Sequence, residues 1–382
     1  MKFLIINADY PAFLQWFYDG NPGLTDSPYN EQIRARNATL FGVADFYSGS
    51  LIRQGHEAWD VHFNNDFIQH AWAREHGMNV TIGKTLSRTK RFAARTPLRH
   101  LRAVLRPLVP KSDPYNMLAE QIRHYRPDII LNQVVDWIPD DFLVEIKPNV
   151  RLVIGQIAAP LPKEKTFRSY DLMLSSLPNF VHYFRKQGIR SELHRLAFET
   201  SIPQQLQDRP PKTDVSFVGT ISSFHATRVG LMEAVCSKVD VAWWGNGDSS
   251  LPKSSLIGKH HRGTAWGREM YQILRDSRIT LNNHIDIAEG YANNMRLFEA
   301  TGVGTMLITD KERNLHEIFE PGKEVAVYDS PEECIEVIAH YLGHDAERAS
   351  VARAGQQRTL RDHNYDVRTQ ELLELLRKAA LV

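Results

Sequence analysis

Short apolar runs rich in β-branched residues alternate along the chain with longer stretches whose apolar residues recur at helical spacing. A run of about four to eight apolar residues is typical of a buried strand, and a strand followed by a helix is the repeating unit of a parallel sheet. Eleven runs are predicted as strands: Phe3–Asn7, Glu57–Phe63, Asp128–Val134, Arg151–Ala158, Asp171–Ser176, Ser191–Phe198, Asp214–Gly219, Asp240–Gly245, Ile279–Asn283, Thr305–Thr309 and Val325–Asp329. The pattern therefore predicts an α/β protein.

The helical stretches are bounded by residues that break helices. Residues 28–54 are predicted as a helix that residues 42–45 interrupt and Gly55 ends, because glycine readily adopts the left-handed conformation found at helix ends. Residues 331–382 are predicted as helices only, with a break between Asp362 and Tyr365.

A polar, proline-rich stretch separates the two series of strands. Residues 200–212 suit neither a helix nor a central strand, because proline lacks the backbone N–H group. The predicted order is an N-terminal Rossmann-like domain (1–199, with a basic insertion at about 79–113), a linker (200–212), a C-terminal Rossmann-like domain (213–362) and a last helix (363–382) that could cross back to the first domain. Two such halves facing a cleft, with C-terminal helices, are the organisation of GT-B glycosyltransferases, and also of some epimerases and phosphorylases.

Composition excludes several other classes of protein. Of the 382 residues 42% are hydrophobic, and 46 basic against 45 acidic residues leave a formal charge of +1, so no global field attracts nucleic acid. The two cysteines, Cys236 and Cys334, suit a reducing compartment and are predicted as buried small hydrophobes. Because no apolar run approaches the roughly 18 residues of a spanning helix, we expect a cytoplasmic protein, soluble or peripheral at the inner face of the membrane.

The segment Ala288–Thr309 combines a glycine-containing loop, a helix predicted from about Asn293, a glycine break and a buried strand. A helix N-terminus carries free amide groups and the positive end of the helix dipole, so a diphosphate could bind there beside Arg296. Glu299 lies three residues later on the same helical face, where its carboxylate could accept both hydroxyls of a ribose. The segment therefore predicts a nucleotide site.

This segment resembles the C-terminal domain of the CgeB-like (spore maturation protein-like) glycosyltransferases, together with motifs on both sides of it. The resemblance rests on 217–220 (FVGT), 271–277 (YQILRDS), 281–284 (LNNH), 294–300 (NMRLFEA), 302–304 (GVG), 307–310 (LITD) and 354–358 (AGQQR). It implies a GT-B glycosyltransferase of polysaccharide biosynthesis that uses a nucleotide-diphosphate sugar as co-substrate and no other cofactor.

Related retaining transferases carry two glutamates with seven residues between them, the first facing the sugar and the second the ribose. Glu299 matches the second glutamate, whereas Glu289 precedes it with nine intervening residues, which leaves the role of Glu289 and the stereochemical outcome open. The predicted donor-binding residues are Gly219, Thr220, Arg228, His284, Glu289, Asn294, Arg296 and Glu299. Trp243 and Trp244 could stack on a base or pack in the core.

The candidates for the general base lie in the first half of the chain. Asp9 and Asp136 follow predicted strands and His56 precedes one, and the sequence does not choose among them. No spacing typical of metal ligands, of a phosphate-binding Gly-Lys-Ser/Thr loop or of a catalytic serine elbow occurs, so we expect a metal-independent site.

One segment is strongly basic. Between residues 84 and 111 nine cations occur with no acid among them: Lys84, Arg88, Lys90, Arg91, Arg95, Arg99, Arg102, Arg106 and Lys111. Apolar residues interleave at roughly helical spacing, so the segment could bind a membrane surface, a phosphorylated lipid or an acidic polysaccharide. A solvated insertion helix is the alternative.

The sequence thus favours a glycosyltransferase that moves a sugar from a nucleotide diphosphate to a glycan, lipid or protein acceptor. Two alternatives remain open: a nucleotide-sugar epimerase on the same fold, and a non-catalytic subunit that binds the nucleotide sugar.

Overall fold

The computed structural model describes residues 1–78, 114–162, 165–221, 226–379 and 381. The basic segment 84–111 lies outside the described residues, so its proposed role stays a prediction. Each of the eleven predicted strands is present. They are β1 (Lys2–Asn7), β2 (Glu57–His62), β3 (Ile129–Asn132), β4 (Leu152–Gln156), β5 (Leu172–Ser175), β6 (Ser191–Leu193), β7 (Thr213–Val218), β8 (Val241–Trp244), β9 (Ser277–Leu281), β10 (Met306–Asp310) and β11 (Ala326–Tyr328).

The strands form two sheets. The first has the order β2-β1-β3-β4-β5-β6, and the second has the order β11-β10-β9-β7-β8. In the first sheet β1 pairs in parallel with β2 on one side and with β3 on the other, and in the second β7 does the same with β8 and β9. Strand order therefore reverses at β1/β3 and at β7/β9, and the carboxyl ends at such a reversal are where open α/β sheets bind ligands.

The helices of the described residues follow the strands as the periodicity predicts. They are α1 (Pro11–Asp19), α2 (Tyr29–Asn37), α3 (Phe46–Arg53), α4 (Asp66–Glu75), α5 (Pro114–Tyr125), α6 (Asp140–Ile146), α7 (Pro178–Lys186), α8 (Ala226–Cys236), α9 (Leu256–Lys259), α10 (Gly267–Arg275), α11 (Met295–Gly302), α12 (Pro331–Gly343), α13 (Asp345–Asp362) and α14 (Tyr365–Lys378).

The helix predicted over residues 28–54 is interrupted as the sequence predicts, but the break is wider than residues 42–45. Two helices, α2 and α3, lie there, because Leu40, Gly42 and Ala44 between them have left-handed backbones with φ of 62°, 62° and 39°. A right-handed helix cannot continue through that conformation. Gly55, with φ of 82°, follows α3 as predicted.

The second sheet is held by a continuous apolar core. Val215, Trp243 and Ile279 are fully buried there. Cys236 and Cys334 belong to the same core, which confirms their prediction as buried hydrophobes. Such packing fixes the strand ends on which the candidate site is built.

The C-terminal helices break where the sequence predicts. Asn364 caps α14 by accepting a hydrogen bond from the Val367 amide, and α13 ends at Asp362. The first turns of α14 bond to α3: the Ser50 hydroxyl and the Arg53 guanidinium donate to Asp366 at 2.6 and 2.7 Å. Residues 39–54 belong to the same compact unit as residues 172–382. The predicted domain boundaries stay a prediction.

No helix within the described ranges combines the length and the apolar character that crossing a membrane requires.

Candidate functional site

The carboxyl ends of β7, β9 and β10 bring several predicted donor residues to one edge of the second sheet. Gly219 and Thr220 follow β7, and His284 follows β9. Arg228 reaches this edge from α8, and Arg296 reaches it from α11.

Arg228 joins the two strands at which the order reverses. Its guanidinium donates to the carbonyl of Thr220 at 2.8 Å and to the carbonyl of Asn283 at 2.7 Å. It also lies over the Phe217 ring, 5.6 Å from the centroid. Burial lowers its pKa to about 10, against the opposing effect of Asp310. Arg228 is therefore a buried cation at the point where β7 and β9 end.

His284 is held by a carboxylate that the sequence analysis did not select. The His284 imidazole Nδ1 lies 2.6 Å from Asp310 Oδ1, and the His284 backbone amide donates to Asp310 Oδ2 at 2.8 Å. Asn283 and Thr309 donate two further side-chain hydrogen bonds to the same carboxylate. Burial opposes ionisation of Asp310, but the bonds and charge of His284 hold its pKa below the ordinary value. Facing a carboxylate, Nδ1 is the nitrogen that carries the proton, which leaves Nε2 on the other side of the ring.

Buried polar atoms at this edge that have no hydrogen-bond partner among the described residues include Arg228 Nε, Asn283 Oδ1 and His284 Nε2. Buried polar atoms are paired in most proteins, so three together at a ligand-binding edge mark a place where a polar ligand would find partners. The guanidinium donor suits a phosphate oxygen, and the imidazole Nε2 suits a ligand hydroxyl that donates to it.

His284, Asp310 and Glu312 also form a group whose ligand atoms lie within 4.8 Å of one another. Burial raises the pKa of Glu312, while nearby His284 opposes the rise. The His284 nitrogen that faces the group already bonds to Asp310.

Glu299 lies on the first turns of α11 and is paired within the protein. Arg296 NH1 lies 2.8 Å from Glu299 Oε2, and Arg296 Nε donates to the carbonyl of Val218 at 3.2 Å. Burial raises the pKa of Glu299, although Arg296 and a hydrogen bond from Tyr271 oppose the rise. A ribose at Glu299 would have to share the carboxylate with these two partners.

Asn294 begins α11 as its N-cap. Its side-chain oxygen accepts from the Leu297 amide at 3.3 Å, and its side-chain amide donates to Asn282 Oδ1 at 2.8 Å. The predicted start of this helix is thus confirmed within two residues. Asn294 fixes the helix to the end of β9, so its contact with a donor stays a prediction.

A small aromatic cavity adjoins Gly219 and Arg296. Phe41, Trp244 and Trp266 line it, and its volume of about 130 Å³ is below the roughly 300 to 1,000 Å³ of pockets for whole ligands. Such a cavity suits one flat ring of a larger ligand. The sequence left Trp243 and Trp244 open between stacking and packing: Trp244 lines the cavity, whereas Trp243 is fully buried.

Two glycines allow the walls of this cavity to approach closely. A Cβ on Gly267, whose φ is 51°, would lie 2.0 Å from the carbonyl oxygen of Thr39. A Cβ on Gly245 would lie 1.9 Å from the carbonyl oxygen of Gly219. Phe41 was missed by sequence reasoning, because its contact with Trp266 depends on residues far apart in the chain.

Glu289 is exposed, in the loop that leads from β9 to α11, and has a left-handed backbone with φ of 52°. Its contact with a donor sugar stays a prediction.

Asp9 ends β1 in a buried ion cluster. Arg36 Nε donates to Asp9 Oδ1 at 3.2 Å, and His62 Nδ1 lies 3.3 Å from Asp9 Oδ2. Burial opposes ionisation, but His62 and Arg36 hold the pKa of Asp9 well below its ordinary value. A fully buried carboxylate with so low a pKa is a weak base, so this geometry suits a structural role.

The other two candidate bases lie at opposite edges of the first sheet. His56 precedes β2 at its amino end, 3.3 Å from the amino group of Met1. Asp136 follows β3 at the carboxyl end and is exposed. The structure therefore does not bring Asp9, Asp136 and His56 together, and it leaves only Asp136 both accessible and at the ligand-binding edge.

Comparison with known proteins finds one family whose model matches part of the chain. Residues 228–374 match the family described as Glycosyl transferase-like, a range that contains His284, Arg296 and Glu299. Curated protein sequences include no significant match to the chain.

Solved structures share the fold along nearly the whole chain. HepE of Anabaena, solved in complex with UDP-glucose, is 13% identical with a TM-score of 0.58, covering 99% of this chain and 100% of its own. A glycosyltransferase of Rickettsia africae is 12% identical with a TM-score of 0.56, covering 99% and 98%. Sucrose-phosphate synthase of Thermosynechococcus elongatus is 10% identical with a TM-score of 0.54, covering 99% of each chain. The protein therefore has the GT-B fold, and its residues 228–374 match the glycosyltransferase-like family.

Proposed function

We propose that this protein is a GT-B glycosyltransferase that moves a sugar from a nucleotide-diphosphate sugar to an acceptor hydroxyl without a metal ion. The observation that carries the proposal is the set of buried polar atoms without described partners, Arg228 Nε, Asn283 Oδ1 and His284 Nε2, at the β7/β9 edge. Arg228, Asn283 and His284 lie in the part of the chain that matches the glycosyltransferase-like family.

The diphosphate binds at the buried cation. Arg228 Nε donates to a phosphate oxygen, His284 Nε2 accepts a hydrogen bond from a hydroxyl of the donor, and the amino end of α11 adds its amides and positive dipole. Because the site is buried, these donors stabilise the charge that develops on the leaving diphosphate more strongly than water would. The nucleotide base occupies the cavity lined by Trp244 and Trp266, and UDP, which HepE binds, is the first nucleotide to test.

The transfer step exchanges one bond at the anomeric carbon for another. The acceptor hydroxyl oxygen bonds to that carbon, the bond to the diphosphate oxygen breaks, and the diphosphate leaves with the bonding electrons. The hydroxyl proton passes to Asp136, the exposed candidate base at a carboxyl end of the first sheet.

We propose that the enzyme belongs to the CgeB-like type of glycosyltransferase, which the motif from Asn294 to Asp310 supports. We further propose that the enzyme acts in the cytoplasm in polysaccharide biosynthesis and contacts the membrane peripherally through residues 84–111.

Two measurements on the purified protein test this function. A thermal-shift series with UDP, GDP and ADP should show one nucleotide that raises the unfolding temperature, because a ligand that binds only the folded state stabilises it. Product analysis with sugars of that nucleotide should then show release of the nucleoside diphosphate.

The same analysis separates the alternatives. An isomeric nucleotide sugar with no released diphosphate would identify an epimerase. Binding without either product would identify a subunit that only holds the nucleotide sugar. No response to any nucleotide would contradict the donor site itself.

A further inference from the structure

Three adjacent strands of the first sheet are each followed by an exposed aromatic residue. Tyr10 comes three residues after β1 and is 66% exposed; Phe67 and Trp137 come five residues after β2 and β3 and are 45% and 41% exposed. The order β2-β1-β3 places these turns side by side at the carboxyl edge. With neighbouring strands about 4.8 Å apart, the row extends over roughly 10 Å.

The backbones that carry these rings are held rigidly. The Trp137 amide donates to the Val134 carbonyl at 2.9 Å, and its own carbonyl accepts from the Tyr115 hydroxyl at 2.8 Å. Phe67 lies in the first turn of α4, which Asn65 caps, and its ring contacts Tyr18 at 4.5 Å between centroids. Tyr10 is the N-cap residue of α1. Rigid exposed rings lose little entropy when a ligand stacks on them.

The charges in the same turns are carboxylates. Asp66 and Asp136 are exposed beside Phe67 and Trp137. The Lys165 side chain is only 8% exposed. Its ammonium group donates to the Ile138 carbonyl and forms an ion pair with Asp140. Exposed carboxylates repel a phosphate and accept hydrogen bonds from hydroxyls.

We infer that Tyr10, Phe67 and Trp137 form the acceptor surface for an uncharged oligosaccharide. The C–H faces of its sugar rings stack on the aromatic rings, and Asp136 accepts a hydrogen bond from a sugar hydroxyl. The inference rests on the proposed glycosyltransferase function and specifies its acceptor as a neutral glycan rather than a phosphorylated lipid.

Saturation-transfer NMR at saturating UDP tests the inference with cellotetraose, maltotetraose, chitotetraose and laminaritetraose. At least one should receive saturation from the wild-type protein, and Trp137→Ala should weaken its binding about tenfold or more, as loss of an aromatic anchor does. Trp16→Ala is the matched control. Trp16 is a similarly exposed tryptophan (40%), but it lies within α1 and not in a turn that follows a strand. Trp137→Phe keeps an aromatic face and should bind the tetrasaccharide with intermediate affinity. This variant tests the inference if Trp137→Ala fails to fold.

The inference fails if no tetrasaccharide binds, if Trp137→Ala and Trp137→Phe bind like wild type, or if Trp16→Ala loses as much affinity as Trp137→Ala. Binding of vesicles that contain polyisoprenyl phosphate in place of the tetrasaccharides would overturn it in favour of a lipid acceptor. Hydrolysis of a nucleotide sugar by the wild-type protein is the separate readout. If hydrolysis occurs and no glycan binds, only the acceptor inference fails; if hydrolysis and UDP binding are both absent, the proposed function fails.

Discussion

The carboxyl ends of the two sheets both hold a buried arginine, with different surroundings. In the first sheet Arg36 bonds to the Asp9 carboxylate, which His62 also contacts, so opposite charges meet. In the second sheet both terminal nitrogens of Arg228 bond to uncharged carbonyls, and its Nε has no partner in the described part of the chain.

The difference distinguishes a buried charge that stabilises the fold from a buried charge that can bind a ligand. A buried ion pair satisfies its own charges, and removing one partner is costly to the fold. A buried cation bonded only to carbonyls retains a net charge that an anion can neutralise. The comparison predicts that changes at the buried ion pair of the first edge act mainly on stability and that changes at the buried arginine of the second act mainly on nucleotide affinity.

The largest effect is expected from Asp9→Ala. The variant leaves Arg36 and His62 buried without their carboxylate, and breaking a buried pair costs about 3 to 5 kcal/mol of unfolding free energy. Urea denaturation measures the loss, with Asp19→Ala on α1 as an exposed control. A variant as stable as wild type but impaired in sugar transfer would contradict the comparison and restore Asp9 as a base.

Acid should lower the stability of the fold through buried neutral histidines such as His363 before it affects Asp9. Burial lowers the pKa of His363 to about 4, and its Nε2 donates to the Ile318 carbonyl at 2.9 Å. The unfolded chain binds the proton near pH 6.5, so the contribution of the neutral ring is complete above pH 6.5 and is lost as pH falls towards 4. The loss approaches about 3 kcal/mol. The contribution of Asp9, whose pKa is lowered, persists until pH falls below its ordinary value of 3.8.

Urea denaturation at a series of pH values measures this dependence. His363→Gln, which can still donate to the carbonyl, should flatten the profile between pH 6.5 and 4. An unchanged slope in the variant would assign the acid sensitivity to other groups, such as His194, whose pKa burial lowers to about 3.

Arg228→Met should act mainly on the nucleotide. The change removes the cation and the Nε donor, which has no partner among the described residues, and we expect UDP affinity to fall by about 2 kcal/mol while uridine affinity changes much less. Isothermal titration calorimetry with both ligands measures the split. Arg228→Lys keeps a charge but loses the planar fork, so it should lie between wild type and Met. Equal losses for UDP and uridine would assign Arg228 to the fold.

The sequence predicts the strands better than the contacts that build the site. Each strand is an apolar run, and burial in a sheet is a local consequence of that run. The break between α2 and α3 falls where the sequence predicts that residues 42–45 interrupt the helix, but it begins earlier, at residues such as Leu40 whose type rarely adopts a left-handed backbone and gives no sequence signal. The pairing of Asp310 with His284 depends on β10 lying next to β9, an order that the linear sequence does not contain.

The smallest effect is expected from Glu299→Gln, which tests a carboxylate that is both paired and predicted to bind the ribose. The amide keeps one acceptor oxygen, so nucleotide affinity should fall by only about 1 kcal/mol. Burial already raises the pKa of Glu299, so a neutral side chain should cost the fold less than the loss of Asp9 does. The ribose is common to both ligands, so calorimetry should show equal losses for UDP and uridine, the opposite of the Arg228→Met pattern. A loss confined to UDP would move Glu299 from the ribose to the diphosphate, and no loss for either ligand would remove it from the site.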